Sequence, residues 1–304
     1  MALKVFGHRS PDTDATASAI VWAWYLNQQG IEATPYVLGT PNTEALFVLK
    51  HWGFEVPELL TSVSEEDEVV IVDTNNPDEL FENINQTGVV QIIDHHKLIG
   101  GIQTPAPIDI TIKPLASTAS VMYLMMGVDE VSDLPNEIAG LMLSCIISDT
   151  LEFRSPTTTE DDKAMAEHLA HKLELDIHQY ATQMFEAKSD VSEFSDEELI
   201  KMDSKIYEAS GIKYRVSVLE TTAPNIVLER KESIFTTIED VKVQDGVDEI
   251  LLFVIDILKE QATLFVPNEA VKLVATSKFN ANVTSDLVIL PGIVSRKKQI
   301  IPVL

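Results

Sequence analysis

Four short stretches carry side chains able to hold divalent cations. The run His8-Arg9-Ser10-Pro11-Asp12-Thr13-Asp14 puts one imidazole and two carboxylates into a single loop. Nitrogen and oxygen donors without a thiolate suit ions such as Mn²⁺ or Mg²⁺. Side chains two residues apart in an extended loop can point to different sides of a cleft, so Asp12 and Asp14 could serve two ions. The same run also reads as an Asp-rich loop capping the next helix, with Asp14 as the N-cap. Asp94-His95-His96 is the second stretch, in a chain with 7 His in all. One such His would read as an ordinary polar residue at a strand end; the pair, preceded by an Asp able to fix an imidazole tautomer, favours ligation. Asp73 follows the apolar run EVVIV and on its own reads equally as a turn residue. Asp149 follows LMLSCIIS at the expected end of a helix, where its charge opposes the helix dipole. Local conflict of that kind is expected where function overrides stability. His51, His168, His171 and His178 lie in helical patterns and read as surface residues.

The elements that must position these groups follow from periodicity and punctuation. Ala2 to Gly7 reads as a buried strand, Ala15 to Gln29 as a helix stopped by Gly30, Thr34 to Leu38 as a strand and Thr43 to Trp52 as a helix. Glu68 to Val72 and Gly88 to Ile93 are further strands; Ser117 to Met126 and Asn136 to Ser148 are apolar helices, with Pro135 as a start signal for the second. Alternating helices and near-continuous apolar strands predict a doubly wound, mainly parallel sheet, with ligands beyond the carboxyl ends of its strands. The candidate ligands all follow such ends or sit on an apolar helix. Residues 1–187 are therefore expected to form one domain that carries the candidate metal ligands, the polar stretch 188–194 a connector, and 195–304 a smaller α/β domain with a mixed sheet. In that second domain Ser195 caps a helix, Tyr214 to Leu219, Glu249 to Ile255 and Gln261 to Val266 are strands, and Pro224 to Glu239 and Asn268 to Ala275 are helical.

Composition limits the partners. The chain has 304 residues, 22 Lys plus Arg against 48 Asp plus Glu, and a formal charge of −26. Such a surface repels nucleic-acid phosphates and anionic lipid, so neither nucleic acid nor membrane is an expected partner. Cys145, the single cysteine, excludes an internal disulfide and a Cys-rich zinc module, and reads as a small buried hydrophobe. The first residues lack a signal-peptide pattern, and no run reaches the roughly 18 apolar residues of a membrane-spanning helix. A cytoplasmic location is expected.

The set His8-x3-Asp12-x-Asp14, Asp73, Asp94-His95-His96 and Ser148-Asp149-Thr150 resembles the DHH phosphoesterase superfamily. Over essentially its full length the chain is similar to the manganese-dependent, family II inorganic pyrophosphatases. Further matches are Leu38-Gly-Thr-Pro-Asn42, Ser155-Pro-Thr-Thr158, Asp203-Ser-Lys205 and Ser295-Arg-Lys-Lys-Gln299. The last separates this family from the DHH nucleases, whose Gly-Gly-Gly-His pattern is missing. Two departures stand out: Thr74-Asn75-Asn76 replaces the usual His-Asn-Glu, and Arg9 precedes Ser10 where Gln-Asn is common. The resemblance implies His8, Asp12, Asp14, Asp73, His95 and Asp149 as ligands of two or more Mn²⁺ ions, with Mg²⁺ as an additional or substituting ion. It implies Asp73 shared between ions and pyrophosphate hydrolysed by a metal-bridged hydroxide. His96, Asp12 and Asp73 are then catalytic, and His96, Lys205, Arg296 and Lys297 bind substrate in a cleft between the domains. A homodimer formed through the first domain is also implied. The rival activities are a DHH-type phosphodiesterase and a short-chain polyphosphatase; a non-catalytic module is disfavoured because all six ligand positions are present.

Overall fold

The computed structural model describes residues 2–191, 194–209 and 211–304. The chain divides into two compact units, Met1–Lys188 and Ser189–Leu304. Ser192 and Glu193, within the expected connector, lie outside the described residues.

The first unit runs β1 (Leu3–Phe6), α1 (Thr13–Gln28), β2 (Ala33–Val37), α2 (Thr43–Trp52), β3 (Glu58–Leu59), β4 (Glu68–Val72), β5 (Gly88–Asp94) and β6 (Asp109–Ile112). Helices α3 (Thr118–Met126), α4 (Val128–Ser132), α5 (Asn136–Thr150), α6 (Glu160–Lys172) and α7 (Ile177–Lys188) follow. Among the described residues the strands form one sheet in the order β3-β2-β1-β4-β5-β6, and every neighbouring pair is parallel. The order reverses beside β1, which lies between β2 and β4. A crevice opens at such a switch point because the loops leave in opposite directions. The strands β1 and β4 are buried through Val5, Phe6 and Val69 to Val72, as a sheet covered on both faces requires. The short edge strands β3 and β6 have no long apolar run and escape a reading based on periodicity.

The second unit runs α8 (Asp196–Met202), β7 (Ser204–Ala209), β8 (Ile212–Thr221), α9 (Asn225–Leu228), α10 (Lys231–Asp245), β9 (Glu249–Asp256), β10 (Gln261–Phe265), α11 (Glu269–Phe279) and β11 (Leu287–Pro291). Its sheet has the order β11-β10-β9-β8-β7. Only the central β8–β9 pair is parallel; the others are antiparallel. Alternation along β9 serves two cores: Leu251, Phe253 and Ile255 join Val271 and Ala275 of α11, while Ile250, Leu252 and Val254 join Leu199 of α8 and Ile234, Ile238 and Val241 of α10. Ser195 caps α8 in a reciprocal capping box with Glu198. The helix expected over Pro224 to Glu239 is instead two, because the helical run breaks at Glu229 and Arg230.

Helix α5 is apolar all round, and residues Ile138 to Ser148 are buried, including Cys145. Each fully buried Leu, Ile or Met contributes about 1.5–3 kcal/mol. Gly140 permits the approach of α2: a Cβ there would lie 2.2 Å from Trp52 Cε2. The indole cannot retreat freely, because its N–H donates to Tyr180 Oη (2.8 Å) and Ser144 Oγ (3.2 Å). Replacing Gly140 by Ala is expected to destabilise the protein by about 1–3 kcal/mol through overpacking. A denaturant midpoint unchanged in Gly140→Ala would show that the α2–α5 contact is not tight.

Candidate metal centre

Strands β1, β4 and β5 each deliver candidate ligands past their carboxyl ends. His8 leaves β1 after Gly7, where a Cβ would meet Ala15 Cβ at 2.7 Å, so the strand end lies close against α1. Asp12, not Asp14, is the N-cap of α1: its Oδ1 accepts from the Ala15 amide at 3.0 Å. Asp14 sits within the first turn and points into the core, which frees it from the capping role. Asp73 follows β4 with φ of 61°, a left-handed conformation costly for a non-glycine residue. Asp94 ends β5, and His95 and His96 follow. Asp149 is the penultimate residue of α5, and the three residues after the helix, Leu151, Glu152 and Phe153, all have positive φ.

These groups converge. His8 Nε2 lies 3.4 Å from Asp73 Oδ2 and 3.8 Å from Asp12 Oδ1. His95 Nε2 lies 3.4 Å from Asp73 Oδ1 and 3.8 Å from Asp14 Oδ2. Two donor clusters result, His8–Asp12–Asp73 and Asp14–His95–Asp149, and Asp73 also groups with His95 and His96; ligand atoms within each cluster lie within 4.8 Å of one another. One carboxylate therefore faces an imidazole of each cluster. Beside the site, His8, Arg9, Ser10, Asp78, Glu79 and His96 line a cleft of about 410 Å³.

The ligating side chains are held by partners that sequence reasoning missed. Asp14 Oδ1 accepts from Ser18 Oγ (2.9 Å) and Ser117 Oγ (3.0 Å), and Oδ2 accepts from the Thr118 amide (2.6 Å). Thr118 Oγ1 donates to Asp73 Oδ1 at 3.0 Å. The N-terminus of α3 thus serves two carboxylates, as helix N-termini favour anions. The only sequence signal was the Ser-Thr pair opening an apolar helix. His95 Nδ1 faces the Leu115 carbonyl oxygen at 3.1 Å, which leaves Nε2 for the site. Asp94 Oδ1 binds His96 Nδ1 at 2.9 Å and both following backbone amides. In the departing triplet, Asn75 donates to Asp94 Oδ2 (2.5 Å), Thr74 donates to Glu79 (2.5 Å) and Asn76 caps the next turn. His168, expected at the surface, is half-buried instead, with Nδ1 2.6 Å from Tyr123 Oη.

The electrostatics are those of a crowded anionic pocket. Burial and the charges of Asp14, Asp73 and Asp12 push the Asp149 carboxyl well above the usual range. Burial and the Asp14 charge, against the bonds to His8 and His95, push Asp73 up to about 6. Asp14 is held low despite burial by His95 and by hydrogen bonds from Asp149, Thr118 and Ser18. Burial opposes the charge on His8 and His95, but their bonds to Asp73 and the neighbouring carboxylate charges outweigh it, and both rise to about 9. Without other cations the pocket gathers protons. Asp149 Oδ2 is buried and has no hydrogen-bond partner among the described residues. An orphan buried carboxylate oxygen beside imidazole nitrogens, with no sulfur ligand, fits divalent ions of the Mn²⁺ and Mg²⁺ kind.

Lys205, Arg296 and Lys297 belong to the second unit. Arg296, in a π-helical turn over Arg296–Ile300, donates through Nη2 to Asp203 Oδ1 and through Nη1 to the Asp203 carbonyl, each at 2.7 Å. Lys205 lies on β7, two residues along from Asp203, so two sequence-distant motifs meet there. Lys205 and Lys297 are exposed.

Residues 3–146 match the DHH family, N-terminal domain, and residues 182–304 match the DHHA2 domain. A probable manganese-dependent inorganic pyrophosphatase of Deinococcus radiodurans is 37% identical over 99% of this chain and 97% of its own. The corresponding protein of Lactobacillus johnsonii is 34% identical over 98% and 96%. A crystal structure of a putative family II inorganic pyrophosphatase from Methanococcus jannaschii shares 36% identity, with a TM-score of 0.60 over 99% of this chain and 97% of that one. An exopolyphosphatase-related protein from Bacteroides fragilis, 15% identical with a TM-score of 0.52, shares the fold. Matched in both halves and along its whole length, the chain belongs to the family II, manganese-dependent inorganic pyrophosphatases of the DHH superfamily.

Proposed function

We propose that this chain hydrolyses inorganic pyrophosphate to two phosphates, with Mn²⁺ held by His8, Asp12, Asp14, Asp73, His95 and Asp149. The observation that carries the reading is Asp73, whose two oxygens lie 3.4 Å from the imidazoles of two separate donor clusters. That geometry suits a shared ligand of paired ions. Relatives 34% and 37% identical to the chain are, by name, probable manganese-dependent inorganic pyrophosphatases. Mg²⁺ fits as an additional or substituting ion because most donors are oxygens. Bound divalent ions supply positive charge for phosphate oxygens and make water more acidic.

The chain's own residues then divide the work. Asp12 and Asp73 orient the attacking water. Asp94 occupies His96 Nδ1, and the ring, 52% exposed, keeps Nε2 for a phosphate oxygen. Its bond to Asp94 raises its pKa despite burial, which suits proton donation to the leaving oxygen. Lys205, Arg296 and Lys297 provide cationic contacts to the phosphates, Arg296 from a guanidinium already fixed by Asp203.

A homodimer and a cytoplasmic setting complete the proposal. Strand β6 is an open sheet edge with Ile110 exposed, flanked by exposed Leu98 and Ile99, and such an edge invites pairing with a second copy. Equilibrium sedimentation should give twice the chain mass; a monomer at micromolar concentration would remove the dimer from the proposal. No helix of the described residues is long and apolar enough to cross a membrane.

Phosphate release measured on pyrophosphate, tripolyphosphate and a dinucleotide tests the activity. Manganese-dependent release from pyrophosphate, abolished by a chelator, is expected; faster cleavage of either other substrate would favour the rival activities. Asp149→Asn should lose tightly bound manganese. Arg296→Ala and Lys205→Ala should keep it while KM rises about 10- to 100-fold, as expected for a lost charged hydrogen bond of about 1.5–3 kcal/mol. Equal loss of manganese from all three variants would contradict this division.

A further inference from the structure

The motif Leu38-Gly-Thr-Pro-Asn42 and the helix after it have no part in ligation, yet they pack against the ligand loop. A Cβ on Gly39 would lie 2.4 Å from the Arg9 carbonyl oxygen, and the Asn42 amide donates to the Pro11 carbonyl at 3.0 Å. Asn42 caps α2. Two residues later Glu44 turns inward and is wholly buried. Its Oε2 accepts from Thr13 Oγ1 (2.9 Å), Ser148 Oγ (2.7 Å) and Lys188 Nζ (3.2 Å). Its Oε1 is buried and has no hydrogen-bond partner among the described residues.

The three donors are informative. Thr13 stands between Asp12 and Asp14, and Ser148 immediately precedes Asp149. Lys188 is the last residue of α7 and of the first unit. A buried carboxylate with one oxygen unmet is costly. An apolar residue would fill the space at lower cost. What the acceptor oxygen does, and an apolar side chain cannot, is accept three donors at once and so tie the start of α1 to the end of α5.

We infer that Glu44 is a positioning residue that sets the spacing of the two segments carrying Asp12, Asp14 and Asp149, and thereby the metal affinity of the site. The inference rests on the proposed ligand set. Lys188 neutralises the carboxylate without competing for the two hydroxyls, and its own carbonyl lies 3.5 Å from Thr43 Oγ1. Partners that orient ligands from behind typically govern metal affinity by about 10- to 100-fold.

Titration of the metal-free, full-length protein with Mn²⁺ alone, followed calorimetrically, reads this directly. Glu44→Ala should raise the dissociation constant by about 10- to 100-fold, and Glu44→Gln, which keeps an acceptor oxygen, should recover most of the loss. The thermal midpoint of each metal-free variant is measured in parallel. A lowered midpoint with an unchanged dissociation constant in Glu44→Ala would make Glu44 merely structural and overturn the inference. Should Glu44→Ala fail to fold, the pair Thr13→Val and Ser148→Ala removes the same bonds from the other side, and unchanged affinity there is equally decisive. Wild-type protein that takes up no Mn²⁺ would instead sink the ligand assignment, and the inference with it.

Discussion

Like charges in one buried pocket are the constraint around which the first unit is arranged. Asp14 and Asp149 offer oxygens within 4.8 Å of each other. At that separation, two full charges repel by on the order of 3–4 kcal/mol at an effective dielectric near 20. Asp73, against both imidazoles, adds a third charge. The protein meets this with fixed donors: hydroxyls from Ser18, Ser117 and Thr118, and the N-terminus of α3. Those donors serve Asp14 and, through the Thr118 hydroxyl, Asp73; among the described residues one oxygen of Asp149 is left unmet. Protons fill the deficit in the bare chain, and the raised values of His8, His95 and Asp73 are the sign of it. A divalent ion can replace those protons with a larger charge at the same place, so the geometry that destabilises the bare pocket is the geometry that selects cations.

Sheet topology makes the crowding possible. Because β1 lies between β2 and β4, the loops after β1 and β4 diverge and leave room between them. The left-handed turn at Asp73 costs on the order of 1–3 kcal/mol and is retained in a strand whose amide still donates to the Ile93 carbonyl at 2.9 Å. A relaxed extended residue would alternate with Val72 and send its side chain to one face of the sheet. The kink lets the carboxylate face forward, between His8 and His95. Helix α5 brings Asp149 from a different layer, and the tight α2–α5 contact at Gly140 keeps that layer in register with α1.

The ligand types were legible because imidazole and carboxylate pairs at the ends of apolar strands have few other uses. Their holders were not. Ser117 and Thr118 stand about a hundred residues from Asp14 in sequence, and nothing local distinguishes a capping serine from one that also serves a distant carboxylate. Glu44 stands in the first turn of α2 after the N-cap Asn42, where the helix dipole favours an acid without requiring burial. The two parallel runs at the sheet centre were legible from apolar composition; β3 and β6, two and four residues long, were not. The cap expected at Asp14 falls instead on Asp12, because either can cap a helix from sequence alone. Only the position of the helix start decides which carboxylate is left to turn inward.

Charge explains why arginine stands at position 296. The chain carries a formal charge of −26, and a pyrophosphate anion gains nothing from its overall field. A cation whose geometry is set beforehand meets such a substrate at lower entropic cost than a mobile one. Asp203 holds Arg296 through both a carboxylate and a carbonyl oxygen, using two of the five guanidinium N–H groups. Three remain, in a plane already set, so less rotamer entropy would be lost on meeting an anion's oxygens. An ammonium in the same position would spend its charge on Asp203 and have no rigid fork left to offer. The pairing with Asp203 therefore organises the cation rather than cancelling it, as the donors around Asp14 organise the pocket in the first unit.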